Sequence, residues 1–188
     1  MRLLTLVGPG GIGKTRLALQ AAAQEAFAFR DGACFVPLAA VRSPDLVAEA
    51  IAHALSLPPA GAGDPRASLL NYLRAGERDL LLVLDNLEHL LDSADLLVAI
   101  LDQAPGVTVL ATSRERLNLR VEQVLAIHGL PVEGSGLRLE DAPAVRLFVQ
   151  SAQRASAGFE PAPEDLTCVA RVCQLVEGMP LAIELAAA

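Results

Sequence analysis

One segment constrains this chain more than any other: Leu3-Leu4-Thr5-Leu6-Val7 followed at once by Gly8-Pro9-Gly10-Gly11-Ile12-Gly13-Lys14-Thr15. The first five residues read as a short buried strand, and the glycines that follow break it into a tight loop. From Lys14 to about Phe29 the residues are good helix formers, closed by Asp31-Gly32. A strand that runs through a glycine loop into a helix has a chemical use. Backbone N–H groups converge at the helix N-terminus, and only glycine lets the backbone come close enough to a polyphosphate to bond it. On this reading Gly8, Pro9, Gly10, Gly11, Ile12 and Gly13 form the cradle and Lys14 reaches the β- and γ-phosphates, while the Thr15 hydroxyl ligates Mg²⁺; Arg16 is counted with the binding residues. Fourteen arginines and a single lysine make up the 15 basic residues, and that lysine is Lys14. A chain that otherwise uses Arg keeps the compact ammonium where a point charge on a flexible stem is wanted.

The rest of the first two-thirds repeats strand and helix. Ala33 to Leu38 reads as a second buried strand, and Ser43-Pro44-Asp45 opens a helix that runs to about Leu57, with Ser43 as N-cap and proline at the first turn. Asp64-Pro65 caps another helix ending near Gly76. Asp79 to Leu84 is too apolar for a half-exposed strand and belongs at the centre of a parallel sheet. A helix from about Ser93 to Gln103, a strand from Val107 to Thr112 and an alternating strand near Val121 to Ile127 complete the series. This alternation predicts a doubly wound α/β sheet with its ligand beyond the carboxyl ends of the strands. Leu130 to Glu140 reads as a linker, and three helices follow, from about Ala142 to Ser156, from about Glu164 to Glu177, and from Pro180. Ala186-Ala187-Ala188 ends the chain within a helix, so a piece of a longer protein is expected.

A Mg²⁺ site beside such a loop needs a carboxylate at the end of a neighbouring strand, and Leu80-Leu81-Leu82-Val83-Leu84-Asp85 presents one. Next comes Asn86, an amide, which can orient a water but cannot take its proton. Glu88 and His89 read as a solvated helix start, with Glu88 as the alternative base. Thr112-Ser113-Arg114 ends the fourth strand on the ligand side, where the Arg114 fork could sense a γ-phosphate or simply cap the strand. Gly178-Met179-Pro180 reads as an ordinary helix stop and start.

Composition removes several function classes. The formal charge is −7 with no basic run, so this segment is not expected to bind nucleic acid directly. No stretch approaches the roughly 20 uncharged residues of a membrane span, and a soluble cytoplasmic protein is expected. Cys34, Cys168 and Cys173 lack metal-site spacing and read as small buried hydrophobes.

Taken together, the strand-loop GPGGIGKT, the segment LLVLDNLEH, the TSR after the fourth strand and the GMPLA turn resemble the NB-ARC-type branch of the STAND P-loop ATPases. That branch includes plant disease-resistance proteins, apoptosome scaffolds and large bacterial transcriptional regulators, and the LDNLEH spelling is most similar to the last group. The resemblance implies a P-loop NTPase sheet in the order 5-1-4-3-2, Arg114 as the first sensor, and Pro180 approaching the base and sugar of bound ATP or ADP. It implies a nucleotide-binding core over 1–129, a linker over 130–139 and a partial helical lid over 140–188. The partners it implies are the other domains of a parent regulator and a homo-oligomer formed on ATP binding. Two other classes fit the same loop: an active ATPase or small-molecule kinase, and an oligomerisation module with little nucleotide binding. The kinase reading needs an Arg-rich mobile lid, whereas residues 130–188 carry only the scattered Arg138, Arg146, Arg154 and Arg171.

Overall fold

The computed structural model of the chain describes residues 1–58, 61, 63–75, 77–90, 94–132, 138–156 and 158–188. Strands and helices follow one another as β1 (Leu3–Val7), α1 (Lys14–Glu25), β2 (Ala33–Pro37), α2 (Val47–Ala54), α3 (Pro65–Arg74), β3 (Leu80–Asp85), α4 (Ala94–Gln103), β4 (Val107–Ser113), β5 (Gln123–Ala126), α5 (Pro143–Ala155), α6 (Asp165–Leu175) and α7 (Pro180–Ala186). The five strands form one parallel sheet in the order β2-β3-β4-β1-β5, the expected 5-1-4-3-2 read from the opposite edge.

Burial follows position in that sheet. β3 lies between β2 and β4, and all six of its residues are buried, as its unbroken apolar run requires. β2 was expected to be buried as well, yet it is an edge strand in which only Val36 is buried. An apolar run does not say how many neighbours a strand has. The helix starts differ in a similar way. Asp64 caps α3 with its carboxylate, accepting from Arg66 N at 2.9 Å. Ser43 makes no such bond, and the chain passes first through a 3₁₀ turn at Pro44–Leu46 before α2 begins.

Period-2 alternation divides the sheet residues between its faces. Leu80, Leu82 and Leu84 of β3 and Val107, Val109 and Ala111 of β4 join a core with Val47, Ile51, Leu69, Leu73, Leu97 and Ile100 from α2, α3 and α4. α1 contacts β1 to β4 and turns the small residues Ala18 and Ala22, one helical turn apart, into buried positions. A separate core joins Ala144, Val145, Val169, Ala170, Cys173 and Ile183 of α5, α6 and α7. Cys168 was expected to be buried but is exposed on α6, and all three cysteines are free thiols.

The chain accordingly divides into two compact units, one of residues 1–8 and 14–126, the other of residues 9–13 and 127–188. In the expected linker, 133–137 lie outside the described residues, while Leu130, Val132 and Leu139 pack on the second core. Leu130 N donates to Gly178 O at 2.7 Å, and a Cβ on Gly178, whose φ is +66°, would sit 2.1 Å from Leu130 O.

The amino ends of the strands are locked by side chains that the sequence patterns do not reveal. Arg2 donates to Ala104 O at 2.8 Å and to Val107 O, so it satisfies a carbonyl just past α4 and ties β1 to the entry of β4. Asp31 accepts from Asp79 N at 2.9 Å and from Arg78 Nη1 at 3.0 Å, joining the entries of β2 and β3. The Asp79 N–H, helped by Arg78 and Arg30 and opposed by partial desolvation, holds the Asp31 carboxyl below its ordinary 3.8. A depressed folded value means that the stabilisation is present above 3.8 and is lost as pH falls through the folded pKa. Asp31→Asn is therefore expected to lower stability at neutral pH, with the gap to wild type closing below 3.8. Urea denaturation of both chains across that range measures it.

Candidate functional site

The glycine loop leaves β1 at Val7 and delivers the chain to α1 at Lys14. Two of its glycines are demanded by backbone conformation: Gly11 has φ +80° and Gly13 φ +96°, values that L side chains rarely adopt. Gly8 N is anchored to Ser113 O, at the end of β4, at 3.4 Å. Within the second unit, Leu181 N donates to Gly11 O at 3.2 Å, so α7, which opens at Pro180, is bonded directly to the loop residues 9–13. A Cβ on Gly11 would lie 2.9 Å from Leu181 Cβ. Gly10 and Pro9 are exposed, Ile12 is buried, and Arg16 is exposed on the first turn of α1.

In the first unit, side chains converge at the carboxyl ends of β3 and β4. Lys14 is only 8% exposed and its Nζ donates to Gly8 O at 2.8 Å, curling back toward the end of β1. Burial pushes the Lys14 ammonium below its ordinary pKa; Glu88 and Asp85 pull it back up, and Arg114 pushes it further down. Asp85, also 8% exposed, accepts from Thr15 Oγ1 at 2.8 Å and from Thr112 Oγ1 at 2.5 Å on the same oxygen. Thr112 also accepts from Asn86 N at 3.0 Å. Lys14, Thr15 and Asp85, picked out separately in the sequence, are thus brought together. Thr112 was not picked out. The β3–β4 register pairs Leu84 with Ala111 and so carries Thr112 to the level of Asp85; the hydroxyl pair Thr112-Ser113 closing an apolar run was the available signal.

Asn86 takes the left-handed conformation, φ 68° and ψ 53°, and turns the chain sharply after Asp85. The result corrects the expectation of a solvated helix start at Glu88. Leu87–His89 is a single 3₁₀ turn, and the Glu88 side chain, 16% exposed, meets Arg114 Nε at 3.1 Å. His89 is exposed, with Nε2 2.8 Å from Val41 O. Arg114 itself is 65% exposed beyond β4.

Parallel sheet order, glycine loop between β1 and α1, and an acid ending β3 together define a P-loop ATPase domain. The chain belongs to the AAA domain family, whose sequence profile matches residues 1–121. Over 190 aligned residues it is 42% identical to a Mycobacterium bovis protein named as a proposed HTH-type transcriptional regulator; the match takes in 100% of this chain and 20% of that one. It therefore spans about a fifth of the length of that curated relative. In backbone it is similar to the Aeropyrum pernix ORC2 protein, solved as ADPNP–ADP complexes, with a TM-score of 0.60 and 17% identity over 98% of this chain and 53% of that one. It is also similar to a Pyrococcus horikoshii STAND protein with a tetratricopeptide repeat sensor, with a TM-score of 0.55 and 15% identity over 97% of this chain and 26% of the other. The likeness to the solved structures is one of fold.

Thr112 generates a test of this geometry. Thr112→Val keeps the shape but removes the donor to Asp85 and strands Asn86 N, which should cost about 1–3 kcal/mol. Thr112→Ser should retain most of that stability, and thermal denaturation of the two variants separates the hydroxyl from the methyl.

Proposed function

We propose that this chain is an ATP- and ADP-binding switch module of the NB-ARC type within a larger cytoplasmic transcriptional or signalling regulator, and that it hydrolyses ATP slowly. The observation that carries the reading is the convergence of Lys14, Thr15 and Asp85 at the carboxyl ends of the strands. The Thr15 hydroxyl and Asp85 carboxylate lie 2.8 Å apart and are hard oxygen donors, which suits Mg²⁺. Among the described residues no three His, Cys, Asp or Glu side chains gather. That fits an ion held by one carboxylate, one hydroxyl, phosphates and water, the usual Mg²⁺ arrangement. When bound, the ion would neutralise phosphate charge.

The protein's own groups would do the rest. Lys14 would exchange Gly8 O for phosphate oxygens, and the N-terminus of α1 would favour the polyphosphate charge. Arg114 would sense the γ-phosphate. Pro180 would approach the base and sugar, since the helix it opens is bonded to the loop at Gly11. Regulators of this design use ADP to stay closed and ATP to open and assemble, and the matched relatives' greater length leaves room for sensor and output domains. No helix among the described residues is long and apolar enough to cross a membrane.

Lys14→Ala should weaken ATP binding about 30- to 150-fold, the loss of a charge-assisted bond of about 2–3 kcal/mol. Isothermal titration with ATP and ADP, alongside circular dichroism, measures this; undiminished affinity in a folded variant would place the site elsewhere.

The rate follows from Asn86. General-base help is worth about 10²–10⁴-fold, and the position after Asp85 offers only an amide. Turnover well below the roughly 10 s⁻¹ of ordinary enzymes is expected. Asn86→Asp should raise phosphate release, because Asp tolerates the left-handed backbone found there. A wild-type rate of ordinary enzymes, abolished by Lys14→Ala, would mark an active ATPase and not a switch.

A further inference from the structure

Glu88 is placed in a way that stability does not explain. One oxygen pairs with Arg114, whose side chain is 65% exposed, and a pair so open to solvent is worth about 0–1 kcal/mol. The other oxygen, Oε2, is buried and lacks a hydrogen-bond partner among the described residues. Burying a carboxylate oxygen without a donor costs as much as such a pair returns, or more. Arg114 directly follows β4 and Glu88 lies three residues past the end of β3, so the pair stands at the same carboxyl ends as Asp85, and the Glu88 charge opposes the lowering that burial imposes on the Lys14 ammonium. The 3₁₀ turn that brings it there begins at the left-handed Asn86, immediately after Asp85. A carboxylate with one oxygen committed and one left over beside a phosphate site is suited to receive a proton.

We propose that Glu88 accepts the proton of the attacking water in ATP hydrolysis, and that its pairing with Arg114 restrains it until a γ-phosphate draws Arg114 away. The proposal rests on the nucleotide-switch reading above. In the step itself the water oxygen bonds to the γ-phosphorus, and the bond from that phosphorus to the β,γ-bridging oxygen breaks with its electron pair leaving on ADP. One water proton passes to Glu88, which yields it to phosphate as the products depart. Arg114 then has two exclusive partners, Glu88 in the resting state and the γ-phosphate in the ATP state. Slow turnover follows from the competition as well as from the amide at Asn86.

The test compares wild type, Glu88→Gln and Glu88→Asp as full 188-residue chains, with a non-hydrolysable ATP analogue and ADP as binding probes and single-turnover phosphate release as the rate. Glu88→Gln frees Arg114, so preference for the triphosphate over ADP should rise about 2- to 5-fold, the worth of an exposed ion pair. Its hydrolysis should fall about 10²-fold or more, because the amide cannot take the proton. Glu88→Asp, which keeps the carboxylate, should recover part of the rate. If Glu88→Gln does not fold, Arg114→Gln breaks the same pair from the other side and should lose the triphosphate preference. Wild-type values for either the nucleotide preference or the rate in a folded variant overturn the proposal. A wild-type chain that binds neither nucleotide removes the switch reading itself, and this proposal with it; a chain that binds both while Glu88→Gln behaves as wild type removes only the role of Glu88.

Discussion

One oxygen of Asp85 holds three segments of the first unit in register. It accepts from Thr15 at the start of α1 and from Thr112 near the end of β4, while its own backbone ends β3. A buried carboxylate without donors would be expensive, so the two hydroxyls are a condition for keeping the acid there. The same constraint positions the chemistry. Because Thr15 is the second residue of α1, its bond to Asp85 ties the start of that helix to the end of β3.

The two ends of the sheet serve different purposes, and the difference lies in what their polar groups bond. At the amino ends, Arg2 and Asp31 satisfy backbone carbonyls and amides from neighbouring entries, which closes off that edge. At the carboxyl ends, several polar side chains bond to one another: Thr15 and Thr112 to Asp85, Glu88 to Arg114. A network of side chains can be rearranged by a charged ligand more readily than a backbone ladder can, because only rotamers need change.

Part of this was legible in the amino acids themselves. Glycine at 11 and 13 is a backbone requirement, so the loop is written in local chemistry, and the apolar run of β3 announces a strand buried on both faces. Lys14, as the single lysine, and Asp85, as the acid ending that run, were identifiable because each breaks a local pattern. The helices over 143–155, 165–175 and from Pro180 were equally plain, since their periodicity and prolines act over a single turn.

What tertiary structure decided is everything that depends on a neighbour distant in the chain. Whether Ala33–Pro37 sits at an edge is a matter of how many strands flank it, and its composition is blind to that. Thr112 acquires its role only from the β3–β4 register, and Glu88 ceases to be a solvated residue only because a left-handed turn at Asn86 folds it back toward Arg114, 26 residues along the chain from Glu88. Local sequence specifies backbone conformations and the burial of runs, because those energies are set within a few residues. The partners of a side chain are set by the packing of whole elements, and in this protein that packing brings Thr15, Asp85 and Thr112 together.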